Sequence, residues 1–63
     1  MYKIIFEDEN GTKEELANVA KIEIARFFAN EISHKYCKHN YKNCRLYIEK
    51  NGFITNEYKT SYD

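Results

Sequence analysis

Proline and tryptophan are missing from this 63-residue chain, glycine occurs only twice, and no acid stands between Ile32 and Ile48. Two glycines leave no room for a glycine-rich phosphate loop, and no paired-carboxylate motif occurs. No apolar run approaches the ~20 residues of a membrane-spanning helix. The apolar stretch Ile4 to Phe6 is also far short of a signal-peptide core, so a cytoplasmic chain without a membrane role is expected. Two cysteines in such a chain are expected as free thiols rather than a disulfide. The lack of proline and tryptophan beside abundant lysine, asparagine, isoleucine and tyrosine suits an AT-rich coding sequence, as in phages or other mobile elements.

What is present makes one small domain over residues 1–63. A chain of this length buries only about 60% of the surface its unfolded form exposes, so a partner chain would add stability. Self-association as a homodimer is therefore expected.

Tyr2 to Glu7 alternates as a strand, with Tyr2, Ile4 and Phe6 on one side. Asp8-Glu9-Asn10-Gly11 is turn chemistry. Thr12-Lys13-Glu14-Glu15 then reads as a capping box opening a helix that runs to about Lys35 or Tyr36. In that helix Leu16, Ala20, Ile24, Phe28 and Ile32 form an i, i+4 row expected to face the sheet. Val19, Ile22 and Ala29 form a second, weaker apolar strip, a candidate oligomer contact. A helix from Thr12 to Lys35 spans about 36 Å against about 20 Å for a six-residue strand, so its last turns are expected to overhang.

Asn51-Gly52 is a strong hairpin signal between Cys44–Lys50 and Phe53–Lys59. A three-residue loop pairs Ile48 with Ile54 and Arg45 with Glu57, keeping each face consistent; a two-residue loop sets Leu46 against Glu57. The three-residue loop is therefore preferred. The expected architecture is α+β: a β-α-β-β order, a three-stranded, mainly antiparallel sheet, one long helix on one face, and a frayed tail over 60–63.

The zero net charge conceals a polarised chain, with seven acids against four bases in residues 1–31. Tyr36, Lys38, Tyr41, Lys42, Arg45 and Tyr47 mix tyrosines with cations, a combination suited to a partner-protein interface. The same mixture serves nucleic-acid binding by phosphate attraction and base stacking, the second reading. His34, Cys37, His39 and Cys44 collect four zinc-competent side chains, so a zinc-stapled domain is a third reading. The one-residue Cys37–His39 spacing is too tight for the usual zinc knuckle, and no metal or other cofactor is expected. His34 and Cys37 share a helix side, but catalysis needs a concave site and an oxyanion donor that so short a chain cannot supply. The sequence thus points to a small non-enzymatic interaction protein, a regulator or inhibitor of a partner protein.

Overall fold

The structure, a computed structural model, describes residues 1–62. It has four strands and one helix: β1 (Tyr2–Glu7), β2 (Lys13–Val19), α1 (Ile22–His39), β3 (Arg45–Lys50) and β4 (Phe53–Tyr58). The sheet order is β2-β1-β3-β4, with every neighbouring pair antiparallel. The chain is therefore α+β, but with a β-β-α-β-β order in place of the three-stranded sheet expected above.

The correction lies between Thr12 and Ala20. Gly11 at φ +84° and the Asp8 carboxylate close a hairpin; the carboxylate accepts from the Asn10 and Thr12 amides at 2.9 Å each. Thr12 thus belongs to a turn and caps no helix. Beyond it, residues 13–19 pair with the outer edge of β1 from Glu7↔Lys13 to Tyr2↔Val19. Lys, Glu, Leu and Ala are good helix formers, yet strand pairing against an otherwise open edge outweighs that weak local preference. A bulge at Leu16 lets Ile4 oppose Ala17 while Ile5 opposes Glu15.

Shortening the helix removes the length mismatch. Eighteen residues span about 27 Å, within the 30 Å long axis of the molecule. The helix begins at Lys21 without a side-chain cap and ends at Asn40 in the left-handed conformation, φ 54°. The Asn40 amide donates to the Cys37 carbonyl at 3.0 Å.

The buried seam of α1 is Ile22, Ala25, Ala29, Ile32 and Tyr36, at spacings of three and four. Ala25 and Ala29 are fully buried and meet Ile4, Leu46 and Ile48 of the central strands. Their small side chains let the helix approach the sheet closely. The row expected to face the sheet is correspondingly displaced. Leu16 and Ala20 precede the helix, with Leu16 packing on the core from β2; Ile24 and Phe28 are exposed, and Ile32 alone of the helical members stays with the core. Val19 and Ile22 pack against the core cluster and Ala29 lies inside it, so the strip expected to contact another chain is occupied within this one.

The β3–β4 hairpin does not have the expected three-residue loop, nor its Ile48–Ile54 and Arg45–Glu57 register pairs. Lys50 pairs with Phe53 across a two-residue Asn51-Gly52 turn, both residues having positive φ (53° and 82°). A bulge at Thr55 then shifts the register so that Ile48 opposes Asn56 and Leu46 opposes Tyr58. Face consistency is restored by one extra residue in the strand rather than in the loop.

The segment after β4 folds back over the helix end. Ser33 Oγ donates to the Lys59 carbonyl at 2.6 Å. The Thr60 hydroxyl donates to the Tyr41 and Cys44 carbonyls at 2.7 and 3.2 Å, and the Tyr41 amide donates to the Thr60 carbonyl. Thr60 is 4% exposed, so the tail expected to fray is anchored at its first residue. Position 63 lies outside the described residues.

Candidate functional site

The six residues expected to form one contact patch are divided between two places. Tyr36 and Tyr41 meet at the C-terminal end of α1, their ring centroids 5.0 Å apart and nearly perpendicular. Phe6 lies 4.7 Å from Tyr36 and 5.9 Å from Tyr41, and His39 lies 6.2 Å from Tyr41. Such edge-to-face contacts place the positive rim of one ring on the negative face of the next. Tyr36 sits deepest. Burial, aided by the charge of Glu14 and by Tyr41, pushes its hydroxyl above the ordinary tyrosine value. Tyr41 remains exposed, and Lys38, His39 and Lys42 share the exposure of this end. Cations here also complement the negative end of the helix macrodipole.

Arg45 and Tyr47 lie elsewhere, on the sheet face turned away from α1. Tyr47 opposes Ile5 across the strands and is only 2% exposed. The Arg45 guanidinium stands 5.2 Å from the Tyr47 ring centroid, and the Tyr47 hydroxyl reaches Glu7 at 3.5 Å. Arg45 also donates from Nε and Nη2 to the two Glu57 carboxylate oxygens at 3.0 Å each. That bidentate bond holds the Glu57 carboxyl below its ordinary value, against a smaller opposing effect of burial. Arg45 and Tyr47 are thus engaged internally, and Ile5 beside them is buried too. Long charged side chains can shelter apolar surface with their stems while their heads stay in water. The outer sheet face accordingly needs no second chain to cover Ile5 and Tyr47.

His34 and His39 are exposed, Cys37 is buried and Cys44 is half-buried, its thiol donating to the Lys42 carbonyl at 3.4 Å. Both cysteines are free thiols. Among the described residues no three His, Cys, Asp or Glu side chains converge as metal ligands would. Nor is any helix among them long and apolar enough to cross a membrane.

The surface that sequence reasoning missed is the outer side of α1. Ile24, Phe27 and Phe28 are 45%, 61% and 42% exposed, with the two phenylalanine rings 5.8 Å apart. A shallow groove beside Phe27 is lined by Glu23, Arg26, Asn30 and Tyr58. The signal was available: once Ile22, Ala25, Ala29, Ile32 and Tyr36 are taken as the inner seam, Ile24 and Phe28 must point outward. A larger aliphatic row had drawn the inner face to the wrong side. Comparison with protein-family models, with curated proteins and with solved structures finds no match.

Proposed function

We propose that this chain is a small non-enzymatic interaction protein, a regulator or inhibitor that acts by occupying the surface of a partner protein. The observation that carries the reading is the strip of Ile24, Phe27 and Phe28. Ile4, Leu46 and Ile48 on the inner sheet face and Ile5 and Tyr47 on the outer one are sheltered from within, while this strip stays in contact with water. Contiguous exposed apolar side chains on a small protein mark an interaction surface. The tyrosine and lysine end formed by Tyr36, Lys38, Tyr41 and Lys42 supplies a second contact region with polar, aromatic character.

Affinity capture from a lysate of the source cells tests the reading. The wild-type chain is expected to retain one stoichiometric protein partner. Phe28→Lys or Lys38→Glu should reduce that recovery by at least about tenfold, as interface hot spots do when lost. Equal recovery by wild type and both variants would overturn it.

A further inference from the structure

We infer that the side of α1 carrying Ile24 and Phe28 is the contact surface for a second copy of this chain, the two helices packing antiparallel about a two-fold axis midway between those two residues. The inference rests on reading that face as an interaction surface and names its occupant. The charge pattern of the helix is the argument.

Besides its inner seam, α1 and its N-cap residue carry a lateral row at spacings of three and four: Lys21, Ile24, Phe28 and Glu31, all exposed. Read in one direction the order is cation, apolar, apolar, anion; read in the other it is anion, apolar, apolar, cation. A two-fold contact requires that if one residue meets another, the reciprocal contact also exists. Antiparallel pairing about the point midway between Ile24 and Phe28 meets this requirement at every layer. Ile24 faces the partner's Phe28, and Lys21 faces the partner's Glu31, each contact occurring twice. Phe27 flanks the centre of the same contact, beside Phe28.

Two further observations favour this occupant. Neither Lys21 nor Glu31 has an ion-pair partner among the described residues. Lys21 is moreover ill suited to its own helix. It holds the N-cap position without a side-chain hydrogen bond. A cation there opposes the macrodipole, and Ser, Thr, Asp or Asn would cap better. Lysine at this point is explained by an acid brought from outside.

This row lies about a quarter-turn round the helix from the buried seam, so the resulting assembly sets the two helices side by side, crossing at about 20°. A contact of four side-chain layers falls near or below the roughly 1,200 Å² that marks the low end of specific interfaces. The association is therefore expected in the micromolar range. Antiparallel packing also sends the two tyrosine and lysine ends to opposite extremes, outside the contact.

Sedimentation equilibrium of the full chain, with circular dichroism as a check on folding, tests the inference. The wild type should dimerise at about 100 μM, and Lys21→Glu or Glu31→Lys alone should raise the dissociation constant about tenfold. The exchanged pair, Lys21→Glu with Glu31→Lys, should recover affinity to within about threefold of wild type. Lys21→Glu improves the charge at the helix start, so its effect cannot be ascribed to a failed fold. A wild-type monomer at that concentration, or a folded exchanged pair that stays monomeric, would overturn the second copy as occupant. If that monomer still loses its captured partner on Phe28→Lys, the interaction reading survives and only the dimer falls.

Discussion

Arg45 does two jobs at one position. Its guanidinium binds both oxygens of Glu57 and also lies over the ring of Tyr47. The first is an ion pair with both side chains about half exposed and screened by solvent, so it contributes little. The second shelters an aromatic ring on a face with no other layer. Glu57→Gln is therefore expected to cost at most about 1 kcal/mol. Arg45→Ala should cost clearly more, because it also opens Tyr47 to water. Urea unfolding of both variants checks the order, and equal losses would mean that the stacking contributes nothing. The pH dependence has a definite sign. A carboxyl held below its ordinary value stabilises the fold above that value and loses the contribution as pH falls through the folded one. Glu57→Gln should accordingly flatten the acid limb of the stability profile.

At the scale of elements, α1 depends on the small residues of its inner seam. Ala29 is fully buried beside Ile4, Leu46 and Ile48, so Ala29→Leu must force larger atoms into a filled space. A loss of about 1–3 kcal/mol is expected, whereas Phe27→Ala on the exposed side should change monomer stability by less than about 1 kcal/mol. Thermal unfolding at dilute concentration separates the two, and the reverse order would place the seam on the wrong face. Several elements were legible without coordinates. Alternation marked β1, and Asn51-Gly52 marked the β3–β4 turn. β2 was not legible, because Lys13, Glu14, Leu16 and Ala17 favour a helix locally and become a strand only through pairing with β1. The bulges at Leu16 and Thr55 were hidden for the same reason: each corrects a register that exists only between strands.

For the molecule as a whole, Lys38 and Lys42 stand at the C-terminal end of α1 with Tyr41 exposed beside them. This is also the geometry by which single-stranded nucleic acid would be held, through phosphate attraction and stacking. A protein partner is the preferred reading, because Arg45 is committed to Glu57 and too few cations remain for an independent nucleic-acid site. Titration with single- and double-stranded oligonucleotides at low salt is therefore expected to give no saturable binding. Tight binding that weakens steeply with added salt would replace the protein partner by nucleic acid.

The amino-acid order alone determined that this is a mixed α and β chain with an N-terminal strand, a C-terminal hairpin and a helix between them, since those features rest on local periodicity and turn chemistry. Tertiary structure decided the fourth strand, the face of the helix that meets the sheet, and the separation of Arg45 and Tyr47 from Tyr36 and Tyr41. Each of those outcomes depends on contacts between residues far apart in the chain. A helix with apolar residues on two sides can bury either, and close packing of Ala25 and Ala29 on the central strands selected one and left the phenylalanines outside.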